Sequence, residues 1–225
     1  MAKVLVISDT QAPFHHPDTL EFLEHVYYKY KCNAVVHIGD EIDNKFLKYA
    51  SINDPHTAKE QHEIALSFMK GLYKIFPNVK VCNSNHVSER LAAQAEAANI
   101  PEFYLKSQHE YLEAPKGWGW ADEWVIDGVK YEHGHKYGGQ KPHEKAVECN
   151  FMSSVIGHHP LLKVSYVNRN DKLFFGMCVG MMVVNLNNAR MGYGMKYSKR
   201  YATKPPLGCG VVLNGNQAII EPFYG

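Results

Sequence analysis

Residues 34–43 read AVVHIGDEID, a mainly apolar run that ends in a glycine and three acidic side chains. A continuous β-rich run of this kind is typical of a strand that is covered on both faces, as in a parallel sheet. An earlier run, Val4–Ile7, leads to Asp9 in the same way, and a helix that opens near Pro17 lies between the two runs. This order predicts a β-α-β unit in which Asp9 and Asp40 follow the carboxyl ends of their strands.

The alternation of helix and strand signals continues after this unit. Apolar residues at helical spacing between residues 57 and 76 predict an amphipathic helix. The next apolar run, Val79–Asn83, predicts a third strand, and it leads into Asn85 and His86. Polar side chains are therefore expected to follow three strands at the same end of one sheet.

The second half of the chain is richer in β signals. The pair Asp127-Gly128 lies between two strand-like runs and predicts a hairpin that leads into His133. A short helix near residues 143–149 and a further strand then lead to His158, and more strand-like runs and a closing hairpin follow. The whole pattern predicts an α/β fold, a four-layer αββα sandwich in which two packed, mainly mixed β-sheets are flanked by helices.

Length and composition fit a single domain. The chain has 225 residues, of which 45% are hydrophobic, so one well-buried core is expected and the domain is predicted to span residues 1–225. The longest apolar stretch is too short to cross a bilayer. The five cysteines form no C-x-x-C motif, which favours reduced thiols and a cytoplasmic protein. The net charge of +1 creates no global attraction to nucleic acid, so any contact with a polyanion must be local.

The polar side chains that follow the predicted strands are of types that bind metals. In α/β sheets, ligands collect beyond the carboxyl ends of strands. Carboxylate, amide and imidazole groups together suit a divalent cation that acts on phosphate, and two such cations need a bridging carboxylate, for which Asp40 is the candidate. One cation could be held by Asp40, Asn85, His133 and His158, and another by Asp9, Asp40 and Gln11.

The order of these patches resembles a known family. Between Asp9 and His158 the chain reads D-x-Q, G-D-x-x-D, N-H, H-G-H and G-H. This order is similar to that of the calcineurin-like (binuclear) metallophosphoesterase superfamily, whose usual pattern is D-x-H, G-D-x-x-D, G-N-H-E/D, H and G-H-x-H. The tail between Leu173 and Val212 also resembles small bacteriophage and prophage members. The resemblance implies a metal-dependent phosphoric ester hydrolase, either a phosphatase or a phosphodiesterase.

The resemblance also implies roles for single residues. His86 would protonate the leaving oxygen or steady the phosphate, and Asp43 would orient His86. A carboxylate behind an imidazole fixes its tautomer and favours its charged form, which suits a general acid. The family pattern favours His133 over His135 as the metal ligand, although both lie in the H-G-H motif.

Several departures from the family pattern concern the metal site. Gln11 replaces the usual histidine, and Pro160 stands where the second histidine of G-H-x-H is expected. Both changes fall on the same predicted ion, so either one or two ions are expected. The N-H motif also departs, since Ser84 replaces its glycine and Val87 its acidic residue.

Phosphate binding requires positive charge beyond the metal. Lys45, Arg90 and Lys136 follow three of the motif patches and are candidates for substrate binding, with a solvated position as the simpler alternative for each. His159 is a further candidate, and it could also fill the gap that Pro160 leaves. The most nucleic-acid-like stretch is a separate basic segment with interleaved tyrosines. It comprises Tyr193, Lys196, Tyr197, Lys199, Arg200, Tyr201 and Lys204.

The sequence thus predicts a metal-dependent phosphoesterase that acts by attack of metal-activated water. Mn²⁺ is the favoured ion, with Fe, Zn and Ni as alternatives for the same ligands. The expected substrate is a phosphorylated small molecule or a nucleic-acid end, with nucleotides and nucleic-acid ends favoured by analogy only. The two alternatives are a degenerate single-metal protein that binds a phosphorylated ligand without turnover, and a nuclease. The oligomeric state is left open.

Overall fold

The computed structural model describes residues 1–44, 57–169, 171–183 and 206–224, which form two β-sheets with helices on their outer faces. The strands are β1 (Lys3–Ile7), β2 (Ala34–His37), β3 (Val79–Cys82), β4 (Trp118–Ala121), β5 (Glu123–Ile126), β6 (Val129–Glu132), β7 (Ser153–Ile156), β8 (Leu162–Arg169), β9 (Lys172–Val179), β10 (Gly208–Leu213) and β11 (Gln217–Pro222). The α-helices are α1 (Thr19–Lys29), α2 (Ala58–Ile75), α3 (Arg90–Ala97), α4 (Gln108–Tyr111) and α5 (Pro142–Asn150).

The first sheet contains the predicted β-α-β unit. Its strand order is β11-β10-β1-β2-β3-β4, in which β1, β2, β3 and β4 are parallel and β10 and β11 are antiparallel to their neighbours. In β1, Val4 and Val6 face one core while Leu5 and Ile7 face another. Successive side chains of a strand point to opposite faces, and both faces are covered here, which explains the unbroken apolar run.

The second sheet packs against the first. Its order is β5-β6-β7-β9-β8, with β6, β7 and β9 parallel and both edge strands antiparallel to their neighbours. Between the sheets lies a core to which Val36 and Ile38 contribute from one side and Val155 and Met177 from the other. Helices α1 and α2 cover the outer face of the first sheet, and α5 lies on the outer face of the second. The predicted four-layer sandwich of two mixed sheets is therefore confirmed.

Helix α5 crosses β9 at Gly176, where there is no room for a side chain. A Cβ atom built at this position would lie 2.2 Å from the carbonyl oxygen of His143 and 3.2 Å from Cγ2 of Val147. We expect Gly176→Ala to lower the free energy of unfolding by about 1–3 kcal/mol, because the helix has to move away from the sheet. Denaturant unfolding would measure the loss. Gly119→Ala is the matched control, since a Cβ atom there meets nothing within 4 Å; equal stability of the two variants would contradict the close approach of α5 to β9.

Three elements were not predicted from the sequence. These are β4, which pairs in parallel with β3, and the helices α3 and α4. None of the helices within the described ranges is long and apolar enough to cross a membrane. The prediction of a single domain is not tested and stays a prediction, as does the cytoplasmic location.

Candidate metal centre

The predicted ligands lie at one end of the sandwich. Because β1, β2 and β3 are parallel, the segments that follow them meet at the same edge of the first sheet. This edge carries Asp9, Asp40 and Asn85. His133 and His158 follow the parallel strands β6 and β7 of the second sheet, and the packing of the two sheets brings these histidines over the same edge.

Four of the predicted ligands converge on one point. Asp40, His133 and His158 each offer a ligand atom, and these atoms all lie within 4.8 Å of one another. Nε2 of His133 lies 3.5 Å from Oδ2 of Asp40 and 3.3 Å from Nδ1 of His158. The same nitrogen lies 2.8 Å from Oδ1 of Asn85. One carboxylate, one amide and two imidazoles thus surround a position that a divalent cation could occupy.

The hydrogen bonds of His133 show that this group of side chains fits a cation. Nδ1 of His133 lies 2.9 Å from the carbonyl oxygen of Ile38, which can only accept a hydrogen bond, so Nδ1 carries a proton and, in the neutral ring that a metal requires, Nε2 presents a lone pair. That lone pair faces the carboxylate of Asp40 and the amide oxygen of Asn85, which are also acceptors. Acceptors that face one another repel unless a positive charge lies between them. A backbone carbonyl that fixes the tautomer of a histidine is also common behind metal ligands.

Gly39 allows the two sheets to approach at the centre. Its φ is +98°, and a Cβ atom there would lie 2.7 Å from the carbonyl oxygen of Cys82 and 3.1 Å from Nδ1 of His133. Any other residue would push β3 or His133 away and would strain the backbone. The glycine of the G-D motif is therefore required both by the turn after β2 and by the position of His133.

The backbone of the centre is strained. Asp9, Gln11, Asp40 and His158 have φ values of 46°, 42°, 54° and 62°, in the left-handed region that glycine favours. Each such residue costs about 1–3 kcal/mol and persists only where the surrounding structure holds it. Strain of this kind clusters at functional sites, and here it lies at four of the six predicted metal ligands.

Asp9 is beside the centre but outside the group of three. Its Oδ2 accepts hydrogen bonds from the backbone N–H of His158, at 2.9 Å, and from the hydroxyl of Ser8. Its Oδ1 is buried and has no hydrogen-bond partner among the described residues. Burial and the nearby charge of Asp40 raise the pKa of Asp9 to about 6. Gln11 is buried as well, and its backbone N–H donates to the carbonyl oxygen of Asp40 at 2.9 Å.

His86 and Asp43 form a hydrogen-bonded pair at the rim of the centre. Nδ1 of His86 lies 3.1 Å from Oδ1 of Asp43, and Nε2 lies 3.8 Å from Oδ2 of Asp40. Burial lowers the pKa of His86, but the charge of Asp40 and the hydrogen bond to Asp43 outweigh burial and raise that pKa above its ordinary value, against the opposing charge of Arg90. One turn of π-helix, Asn85–Glu89, carries the ring, and such turns recur at functional sites.

The candidates for substrate binding have different surroundings. Arg90 contacts His86 directly, with Nη2 of Arg90 2.9 Å from Nε2 of His86. Lys136 lies in an ion pair with the buried Glu132, at 2.6 Å. The half-buried ring of His159 packs edge-on against His158, with ring centroids 5.1 Å apart. Lys45 lies outside the described residues, as does the basic segment between Tyr193 and Lys204.

Of the two histidines of the H-G-H motif, His133 is the one beside Asp40. His135 lies closer to solvent, and its Nε2 pairs with Oε1 of Glu89 at 3.0 Å. A groove of about 470 Å³ opens next to His133 and is also lined by His135, Lys136 and Ser88. Its volume falls within the range of small-molecule sites.

Sequence reasoning missed the groups that position the ligands. The carbonyl of Ile38 sets the tautomer of His133, and no side-chain pattern reports a backbone group. Ser8 is adjacent to Asp9, so its hydroxyl could have been considered. Glu41 is fully buried beside Asp40 and accepts a hydrogen bond from the indole N–H of Trp120 at 2.8 Å. Burial raises the pKa of Glu41 to about 7.

Comparisons with known proteins concern the fold. No family model matches the chain, and no curated protein matches it either. Among solved structures, Vps29 from Chaetomium thermophilum is similar at 10% identity and a TM-score of 0.48, with 99% of this chain and 97% of that chain covered. Vps29 from Entamoeba histolytica in complex with Zn²⁺ is similar at 13% identity and a TM-score of 0.46, with 98% of each chain covered.

A third similar structure is the phosphoesterase YfcE from E. coli, at 12% identity and a TM-score of 0.44, with 94% of this chain and 88% of that chain covered. Similarity at this level carries no conclusion about activity or ligands. The function of this chain has to be inferred from the geometry of its own residues.

Proposed function

We propose that this protein is a metal-dependent phosphoesterase. The observation that carries the proposal is the convergence of Asp40, Asn85, His133 and His158 within a few ångströms, with Nε2 of His86 3.8 Å from Oδ2 of Asp40. A cation site that stands beside a carboxylate-oriented histidine has the parts required to hydrolyse a phosphate ester. The order of the motifs along the chain points to the same chemistry.

Each group has a separate task in this proposal. A bound divalent cation supplies Lewis-acid stabilisation of the phosphoryl oxygens and lowers the pKa of water. Asp40, Asn85, His133 and His158 would hold that cation. His86 would hand a proton from Nε2 to the leaving oxygen, and Asp43, at Nδ1, holds the ring in the orientation that this transfer needs.

The metal is proposed from the chemistry of the donors. A mixed set of carboxylate, amide oxygen and imidazole suits Mn²⁺, our first choice, while Zn²⁺, Fe and Ni bind the same groups. Whether a second ion binds depends on Asp9, because Gln11 and Pro160 replace two histidines of the family pattern. Among the described residues, Oδ1 of Asp9 is a buried carboxylate oxygen without a hydrogen-bond partner, as are Oε2 of Glu41 and Oδ2 of Asp43, and it would attract further positive charge.

For the substrate, we favour a phosphorylated small molecule over a nucleic-acid end. The groove beside His133 is lined by four acidic side chains and one lysine, so its net charge does not favour a polyanion. The acidic residues are Glu89, Asp122, Glu123 and Glu132. Of these, Glu132 is paired with Lys136 and Glu89 with His135, and Glu123 is paired with Lys130.

A panel of three substrates tests the proposal. Purified protein with Mn²⁺ is incubated with a chromogenic phosphomonoester, a chromogenic phosphodiester and single-stranded DNA. We expect metal-dependent release of the chromophore from the monoester, the diester or both, and lower activity on DNA. Cleavage of DNA in preference to both small esters would favour a nuclease and contradict the preference that we infer from the groove.

The second candidate function is a protein that binds a phosphorylated ligand at a single ion without turnover. The two replaced histidines favour it, and so does Asp9, whose Oδ2 is already occupied by Ser8 and by the backbone of His158. The pairing of His86 with Asp43 favours catalysis, because a binding protein needs no oriented proton donor. Binding of metal and phosphate with no hydrolysis of any of the three substrates would decide for this candidate.

A further inference from the structure

Arg90 forms a hydrogen bond with Nε2 of His86, the atom that would donate the proton in catalysis. Its Nη2 lies 2.9 Å from Nε2 of His86, and its Nη1 donates to the carbonyl oxygen of Asp43 at 2.6 Å. A guanidinium has only donors, so Nε2 must accept this hydrogen bond with its lone pair. The ring proton of His86 is therefore on Nδ1, which faces Asp43. In this arrangement Nε2 is not available to a leaving oxygen.

Among the described residues, the two acceptors that bind Arg90 are both uncharged, and each offers one acceptor atom. One is an imidazole nitrogen and the other a backbone carbonyl. A phosphate group offers several ionised oxygens, and a guanidinium binds such a group through two parallel, charge-assisted hydrogen bonds that are about twice as strong as neutral ones. Nε2 of His86 lies 3.8 Å from the proposed ligand Asp40, so a guanidinium that is bonded to Nε2 lies near the group that would hold the metal.

We propose that Arg90 is a phosphate-binding residue that leaves His86 when substrate enters. The exchange gives the guanidinium an anionic partner and frees Nε2 of His86, which can then take up a proton from solvent and give it to the leaving oxygen. Arg90 would thereby couple the arrival of a phosphate group to the readiness of the proton donor. This inference rests on the proposed function, because it assigns a regulatory step to the same site.

A purely structural role for Arg90 is less consistent with the surrounding contacts. The loop that carries His86 is fixed by other bonds: the backbone N–H of His86 donates to Oδ1 of Asp40 at 3.3 Å, and Nδ2 of Asn44 donates to the carbonyl oxygen of His86 at 3.4 Å. The hydroxyl of Tyr111 in turn donates to Oδ1 of Asn44 at 2.9 Å. These bonds hold His86 in place without the guanidinium, and the backbone N–H of Asp43 donates to the carbonyl oxygen of Ala12 at 3.0 Å.

Titration calorimetry with inorganic phosphate tests the inference without requiring turnover. The protein is loaded with Mn²⁺, and the natural chain is compared with Arg90→Gln, Arg90→Lys and the control Arg169→Gln, whose arginine pairs with Glu148 on another surface. We expect Arg90→Gln to weaken phosphate binding by about 10- to 100-fold, which is the scale of a charge-assisted hydrogen bond. Arg90→Lys should recover part of the affinity, since lysine binds phosphate as a point charge, and the control should bind as the natural chain does.

The inference would be overturned if the natural chain and Arg90→Gln bound phosphate with equal affinity and had the same unfolding midpoint. Arg90 would then have only a structural role. If Arg90 had only a structural role, lysine could not replace it, because a single ammonium cannot hold Asp43 and His86 together. The proposed function is tested separately. If phosphate binding depends on Arg90 but no ester is hydrolysed, the proposed enzymatic activity is excluded and this inference stands. Hydrolysis with Arg90-independent phosphate binding would do the reverse.

Discussion

Asp40→Asn is expected to weaken the binding of divalent metal by at least about 100-fold and to reduce metal-dependent hydrolysis to the background rate, since loss of a group behind a metal ligand already costs 10- to 100-fold. Asp40 contributes the only carboxylate among the three residues whose ligand atoms lie within 4.8 Å of one another in the described part of the chain. Asparagine keeps the size of the side chain but removes its charge. The acceptors of His133 and Asn85 would then face a neutral group. The positive charge of one or two bound ions would be offset less.

Competition with a chromophoric chelator measures the metal affinity of this variant, and release of phosphate measures its activity. Asp171→Asn is the matched control, because Asp171 is exposed in the turn between β8 and β9 at a φ of 61°, which asparagine also tolerates. The control should bind metal and turn over as the natural chain does. Unchanged metal affinity in Asp40→Asn would show that the cation binds elsewhere.

His86→Asn is expected to lower kcat by about 10²- to 10⁴-fold, the range of general acid–base catalysis, while metal affinity stays the same. Nε2 of His86 is not among the ligand atoms that converge with His133, so the ion should not depend on it. The loss should be largest for esters with poor leaving groups. An activated leaving group such as p-nitrophenolate departs without a proton and should be affected much less.

A series of phosphate esters with leaving groups of increasing pKa measures this effect. His25→Asn is the control, since His25 is an exposed residue of α1. A uniform loss across the series would argue that His86 binds phosphate and is not the proton donor. Loss of bound metal in His86→Asn would place His86 among the ligands and contradict the arrangement inferred here.

The fold was predictable from the sequence where burial on both faces leaves an unbroken apolar run, as in β1 and β2. Strand β4 was missed because Gly119 and the flanking tryptophans, of which only Trp118 is buried, do not give a continuous run. Helix α3 was missed for a different reason. Only Ala95 of this helix is buried, so the segment carries no apolar stripe at helical spacing.

The positions of the candidate ligands along the chain were also predictable, because parallel strands bring their carboxyl ends together. The distances between them were not, since the approach of His133 to Asp40 depends on how the two sheets pack and on the space left by Gly39. The hydrogen bond between Arg90 and His86 could not be predicted from the sequence either. A spacing of four residues across a turn of π-helix is not readable as a contact from sequence alone.

Crystals soaked with Zn²⁺ and measured at the zinc absorption edge would test the metal centre most directly. We expect a strong anomalous peak about 2.0–2.2 Å from Oδ2 of Asp40, Nε2 of His133 and the ring of His158, with the amide oxygen of Asn85 facing the same ion. A second peak beside Asp9 would show that two ions bind despite Gln11 and Pro160. A well-measured map with no peak among Asp40, His133 and His158, or with zinc bound only at other histidines, would contradict the proposed metal centre and the hydrolytic function that depends on it.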